Sequence, residues 1–375
     1  MNIADFYDDD EMDFADKEES EDDEDGDSIQ IPKEERILRT QSYDKSISDL
    51  VSMIDDGEID LNPEFQRNYL WDNKKSSLLI ESVLLNIPIP VIYASENEDA
   101  IWSVIDGLQR LNSIHRFFKN EFRLTKLEIL KELNGLTYHK LPPKAQRLLK
   151  NGLFRVIVLQ SETHEEIKYD IFMRLNTGAV KLNEQELRNC LYRGSLNKFL
   201  KRIRENESYL SFLKLKSPHK RFTDCEMILR FLALYDAYDF DKHELVYPGK
   251  MKPFLNAFMR KYQNASDDKL NFLEGVFEKA VSNAYMIFGS NAFMRPNKRG
   301  EYDGRVNRSL MDVVMLCCTR LDKEYCRENS NEIKQSIIDL CVNDSDFIDA
   351  ITSGTSDKRK ISFRIEKGLN ALGVD

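Results

Sequence analysis

Two short clusters in the sequence end in the same pair of residues. Asn62-Pro63-Glu64-Phe65-Gln66-Arg67, with Tyr69 and Trp71 close behind, is the first; Ile105-Asp106-Gly107-Leu108-Gln109-Arg110 is the second. Arginine suits phosphate because its planar guanidinium donates paired hydrogen bonds and never loses its charge. Gly107 lacks the Cβ that would keep an anion off the backbone. If a helix starts just after it, first-turn amides point outward at the positive end of the helix dipole, and the corner becomes an anion cradle. Spacing alone leaves alternatives open. Asp-Gly is common in turns, with Asp106 as the acceptor of an Asx-turn, Arg110 fits a surface helix position, and Arg67 can pair with Glu64 or Glu81.

The elements around these clusters are legible from periodicity. Ser46 reads as an N-cap for a helix carrying Ile47, Leu50, Val51 and Ile54, which stops at Asp55-Asp56-Gly57. A short strand over Gly57–Leu61 then leads into the first cluster. Asn73 to Asn86 forms an amphipathic helix, ended by Ile87-Pro88-Ile89-Pro90 because proline cannot donate to a helix. Val91–Ala94 and Ile101–Ile105 are β-branched and aromatic runs flanking an acidic turn, so they predict adjacent strands. Leu111, Ile114 and Phe118 place a helix directly after Gly107, and Leu153–Gln160 reads as a buried strand. Beyond that the pattern turns helical. Thr163/Glu166, Asn183/Glu186 and Thr223/Glu226 have capping-box spacing. No strand is expected between 180 and 345, and Pro218, Pro248-Gly249 and Arg295–Arg308 are expected loops.

Composition limits the function classes. The chain has 375 residues and a net charge of −11. Residues 1–30 hold fifteen Asp or Glu and one Lys, a charge of −14, so the rest of the chain carries +3. Such an acidic block cannot bury enough apolar surface to offset the entropy of ordering, and residues 1–30 are expected to be a disordered tail. It either solubilises the protein or competes with an anionic ligand for a basic groove on the body. The six cysteines and five histidines are scattered without ligand spacing, so no metal site built from them is expected. Neither a secretory leader nor a membrane-length apolar run is found, which points to a cytoplasmic protein with no membrane partner.

Four motifs carry a resemblance: Asn-Pro-Glu-Phe-Gln-Arg-Asn-Tyr-Leu-Trp at 62–71, Asn-Ile-Pro-Ile-Pro at 86–90, Ile-Asp-Gly-Leu-Gln-Arg-Leu at 105–111 and Phe-Met-Arg-Leu-Asn-Thr-Gly at 172–178. In this order they resemble the DGQQR-motif family typified by the N-terminal domain of GmrSD-type modification-dependent restriction enzymes. Leu187-Arg188-Asn189 and Arg221-Phe-Thr-Asp-Cys-Glu226 look like the helical part of such proteins. The resemblance implies an α+β fold: a ParB/sulfiredoxin-like mixed domain over 35–180, then an all-α helical domain over 181–375. It further implies a nucleoside triphosphate with Mg²⁺, held by Gln66, Arg67, Asp106, Gly107, Gln109, Arg110, Asn176 and Thr177. Leu108 departs from the family, which most often has Gln there. Hydrolysis stays open; if it occurs, the chain is an NTPase with Asp106 and Arg110 catalytic.

Basic stretches at Lys198–Arg204, Lys214–Arg221, Arg295–Arg308 and Lys358–Lys367 suit a phosphate backbone, and Lys214, Lys216, Lys220 and Arg221 are the expected DNA contacts. No paired-histidine nuclease motif is present. The resemblance implies a nucleotide-dependent regulator acting with DNA in restriction or antiphage defence, and the missing motif adds the expectation of a separate nuclease subunit as partner. Two other readings stand beside it: a non-catalytic protein-interaction module with the same fold, and a direct DNA nuclease.

Overall fold

The computed structural model describes residues 38–61, 71–97, 99–175 and 183–373. The acidic tail lies outside them. The chain divides after Asn183 into two compact units, which are described separately.

The first unit is built on five strands: β1 (Thr40–Ser46), β2 (Ile59–Asp60), β3 (Ile92–Glu96), β4 (Trp102–Asp106) and β5 (Leu153–Leu159), in the order β1-β5-β3-β4-β2. β1 runs antiparallel to β5 with Tyr43 opposite Val156, and β5 runs parallel to β3 with Val158 opposite Ala94. β3 and β4 are antiparallel, with Tyr93 opposite Asp106 and a register shift just beyond. β2 adds a short parallel edge to β4. β1 has no counterpart in the sequence reading, because Thr-Gln-Ser-Tyr-Asp-Lys-Ser is a mostly exposed edge strand without an apolar face.

Helices α1 (Ile47–Asp55), α2 (Asn73–Leu84), α3 (Leu108–Phe118), α4 (Pro143–Asn151) and α5 (Glu165–Leu175) accompany the sheet. The Ser46 hydroxyl caps α1 by accepting the Asp49 amide, and Asp72 caps α2 by accepting the Lys75 amide at 2.8 Å. Ile47, Leu50, Ile80, Ile114 and Phe117 from the helices close over Ile92, Ala94, Val156 and Val158 from the sheet. Burying a side chain such as Phe117 is worth about 2–3 kcal/mol, and this shared core fixes α2 and α3 against β3 and β4.

The second unit is helical: α6 (Glu184–Leu191), α7 (Ser195–Ile203), α8 (Glu207–Phe212), α9 (Thr223–Ala237), α10 (Met251–Lys261), α11 (Asp267–Phe288), α12 (Arg308–Arg320), α13 (Lys323–Asn343), α14 (Ser345–Ala350) and α15 (Lys358–Ala371). Two short antiparallel ribbons correct the expectation of no strands. β6 (Tyr238–Asp239) pairs with β7 (Glu244–Leu245), and β8 (Met294–Pro296) with β9 (Tyr302–Val306), inside the stretch expected to be a loop. Both ribbons are too short and polar to show alternation.

A buried charged triad ties three of these helices. Asp312 on α12 accepts Arg230 of α9 at 2.8 and 2.9 Å and Arg364 of α15 at 2.6 Å. Arg364 also donates to the carbonyls of Ala350 and Thr355. Desolvated charges persist only when paired and hydrogen-bonded in this way. The third expected capping box resolves differently. Phe222, at φ +60°, is the N-cap of α9, while Asp224 accepts the amides of His219 and Cys225. Burial raises the Asp224 carboxyl above its ordinary range, opposed by Arg204 and those two amides. Glu226 turns instead to Arg188.

Candidate functional site

β4 ends at Asp106, Gly107 turns the chain at φ +97°, and α3 begins at Leu108. A Cβ on residue 107 would stand 2.8 Å from Ile92 Cγ1 and 3.1 Å from Arg110 Nη2. Glycine is thus required because the Arg110 side chain folds back beneath the turn. Arg110 is only 8% exposed. Its Nη1 donates to the Pro90 carbonyl, Nη1 and Nη2 lie 3.4 Å from the Val91 carbonyl, and Nη2 donates to Asp106 Oδ2 at 2.6 Å. The guanidinium therefore staples the entry of β3 to the exit of β4. Pro90 and Val91 precede β3, so their carbonyls sit outside the regular ladder and need this donor.

Asp106 is oriented by that staple. Its side chain is 46% exposed, and among the described residues its other carboxylate oxygen accepts no hydrogen bond. No side chain caps the N-terminus of α3. The corner thus combines an oriented carboxylate with an uncapped helix end, whose dipole attracts anions.

Gln109 links the two clusters. Its Oε1 accepts the Trp71 amide at 2.9 Å, so the last residue of the first cluster is fastened to the first turn of α3. Trp71 packs on the unit's core, one residue before the Asp72 cap of α2. Gln66 and Arg67, a few positions earlier, lie outside the described residues, as do Asn176 and Thr177. α5, which packs against β4, ends immediately before Asn176. Asp106, Gly107, Gln109 and Arg110 are therefore gathered at one corner, to which Trp71 of the first cluster is hydrogen-bonded.

Behind the corner, α2 and α3 are joined by buried Ser76 and Ser113, whose hydroxyls lie 2.9 Å apart. Glu81 on α2 is buried and accepts the amides of Glu128, Ile129 and Leu130 at 3.2, 2.8 and 2.7 Å; Arg67, its candidate partner in the sequence, lies outside the described residues. Burial pushes its carboxyl upward, but the three amides outweigh that and leave it below the ordinary glutamate range.

In the helical unit, the four expected DNA contacts are unevenly placed. Lys214 Nζ donates to the carbonyl and hydroxyl of Ser290 and to Asn291 Oδ1. Arg221 pairs with Glu186 at 3.0 Å. Lys216 and Lys220 are exposed. The two helical motifs of the resemblance meet: Arg188 donates to Glu226 at 2.8 Å, to Glu184 at 3.0 Å and to Asn256 at 2.9 Å. Among the described residues, no group of three His, Cys, Asp or Glu converges as metal ligands.

Three parts of the site escaped sequence reasoning: the Pro90 and Val91 carbonyls, the Trp71 amide and Glu81. Asn-Ile-Pro-Ile-Pro was the available signal for the first, since a proline-bounded strand entry leaves carbonyls to be satisfied from elsewhere. A lone glutamate on the apolar face of α2 was the signal for Glu81.

Residues 47–193 match the family model described as GmrSD restriction endonuclease, N-terminal domain. No curated protein and no solved structure matches the chain. No described helix is long and apolar enough to cross a membrane.

Proposed function

We propose, from the premise that residues 47–193 belong to the GmrSD restriction endonuclease N-terminal domain family, that this chain is a nucleoside-triphosphate-binding regulator acting with DNA in restriction or antiviral defence. The observation that carries the reading is the Gln109–Trp71 hydrogen bond, which fastens the end of one arginine-bearing cluster to the turn of the other. In this reading the phosphates lie at the uncapped end of α3, where dipole and first-turn amides favour an anion. The resemblance adds Gln66, Arg67, Asn176 and Thr177 to the phosphate contacts.

Asp106 fits a Mg²⁺ ion on those phosphates, because such ions take one or two carboxylates alongside phosphate and water, and one Asp106 oxygen is not engaged by Arg110. Bound there, the metal would neutralise phosphate charge. Arg110 acts as a positioning residue, since its guanidinium is committed to backbone carbonyls and to Asp106. Hydrolysis, where it occurs, then depends on Asp106 and Arg67. DNA cutting is assigned to a separate nuclease subunit.

The test is a panel of ATP, GTP, CTP and UTP with and without Mg²⁺, read by thermal shift and calorimetry. A ligand at a hundred times its Kd stabilises by about 2.7 kcal/mol, so binding gives a clear shift. At least one nucleotide should shift the protein in a Mg²⁺-dependent way, and Arg67→Ala and Asp106→Asn should each weaken it at least about tenfold. No shift with any of the four overturns the reading.

A further inference from the structure

The stretch Arg295–Arg308 holds most of the β8–β9 ribbon, which is anchored by hydrogen bonds at its root. At its root Asn307, fully buried, donates its side-chain amide to the Ile351 carbonyl, accepts the Leu310 amide at the start of α12, and sends its own backbone amide to Phe293. The other strand emerges from the turn Gly289–Asn291, the same turn that Lys214 clasps with three hydrogen bonds. β8 then packs on α13, with Met294, Pro296 and Val306 buried.

The tip is ordered by one side chain. Asn297 Oδ1 accepts the amides of Arg299 and Glu301 at 2.8 and 3.0 Å, and the Asn297 amide donates to the Glu301 carbonyl at 2.8 Å. Lys298 and Arg299 stand exposed at the apex, with Arg305 exposed on the returning strand. The ribbon's two acids are turned to its own framework: Glu301 accepts the Asn297 side-chain amide, and Asp303 accepts the Arg305 backbone amide. Elsewhere on this unit some exposed cations are paired, as Arg202 is with Glu274 and Lys242 with Asp239, while others, such as Lys198 and Lys216, stand singly on other elements among the described residues. Among the described residues, Lys298, Arg299 and Arg305 make no side-chain hydrogen bond, ion pair or ring contact.

We propose that the β8–β9 ribbon is a wing that binds double-stranded DNA, laying Lys298, Arg299 and Arg305 along its phosphates. A two-stranded ribbon fits a duplex groove, and the tip carries no apolar side chain that would suit a membrane or a hydrophobic protein surface. Lys214, expected as a direct contact, becomes the residue that sets the wing's base. The inference rests on the reading that the chain acts with DNA and assigns that contact to an element distinct from the nucleotide corner.

The experiment uses the full chain and a fluorescent DNA duplex, with affinity measured by anisotropy from about 50 to 200 mM salt. Lys298→Gln combined with Arg299→Gln is compared with Lys144→Gln combined with Lys150→Gln, an equal charge change on exposed α4 positions of the first unit. The wing pair should lower affinity about tenfold or more and reduce the log–log salt slope by about two, one for each lost phosphate contact. The α4 pair should change both much less. Equal losses in the two pairs, or an unaltered wing pair while the wild type binds, overturns the wing and leaves the DNA reading standing. Absence of duplex binding by the wild type at the lowest salt overturns both. Poly-glutamate competing as strongly as duplex, with the same dependence on the wing, overturns the duplex assignment in favour of a general polyanion surface.

Discussion

The Arg110 guanidinium lies 3.1 Å from the point where a Cβ on residue 107 would stand, so the glycine and the arginine of the motif are conditions for one another. Gly107→Ala must strain a left-handed backbone at φ +97° and push against Ile92 at 2.8 Å. We expect a loss of about 2–3 kcal/mol, measured as a lowered urea midpoint at unchanged slope. Unchanged stability would mean that Arg110 does not occupy the space beneath the turn.

Arg110 and Asp106 should separate in their effects. Arg110→Ala removes the one side-chain donor that the Pro90 and Val91 carbonyls have among the described residues and strands Asp106, so it should destabilise the first unit by about 2–3 kcal/mol before any ligand is added. Asp106→Asn keeps an acceptor for Arg110 and should leave the melting temperature within a few degrees, while weakening Mg²⁺-dependent nucleotide binding. Thermal melting of both variants with and without nucleotide distinguishes a positioning role from a direct one. A melting temperature for Arg110→Ala equal to that of the wild type would contradict the staple.

Glu81 gives a pH dependence with a definite sign. Its folded carboxyl titrates below the ordinary glutamate range because three amides outweigh the burial that pushes it up. A lowered folded pKa contributes stability that is complete above the unfolded value, about 4.3, and is lost as pH falls through the folded value. Glu81→Gln should therefore cost about 2 kcal/mol near neutral pH, with the gap to wild type closing below about pH 4. Urea midpoints across pH 3 to 7, roughly the span of the transition, check this. A gap that stays constant over that range would show that Glu81 carries no charge in the folded state.

The thiols should be nearly silent. Cys225, Cys317, Cys318, Cys326 and Cys341 are buried, and burial pushes the Cys225 and Cys341 thiols up to about 12. Thiolate is the reactive form, so a disulfide reagent at pH 8 should titrate at most Cys190 in the native protein and all six cysteines in urea. Two or more fast native thiols would refute the packing around α12 and α13.

Local chemistry made part of this fold legible. The Ser46 cap, the proline-ended α2 and the β3–β4 hairpin each depend on residues within a few positions, and they stand where periodicity placed them. β1 was not legible because an edge strand needs only a partner, here β5 more than a hundred residues away. The β8–β9 ribbon was hidden for a related reason: Asn297 and Asn307 organise it, and a sequence shows their identity but not their partners. At the candidate site, Asp106, Gly107, Gln109 and Arg110 were legible as a cluster. The direction of Arg110 was not, since what turns it inward is a pair of carbonyls about twenty residues earlier, and backbone oxygens have no signature of their own.

The Arg230–Asp312–Arg364 triad sets an order on the protein's own synthesis. Arg230 alone already neutralises Asp312, so Arg364, 52 residues further on, brings a second, surplus cation whose burial depends on Asp312 and on the carbonyls of Ala350 and Thr355. The final packing of the helical unit therefore includes the docking of α15, which carries that cation in. A nascent chain stalled short of Arg364 should present an open, chaperone-binding face, whatever the sheet-bearing unit has already achieved.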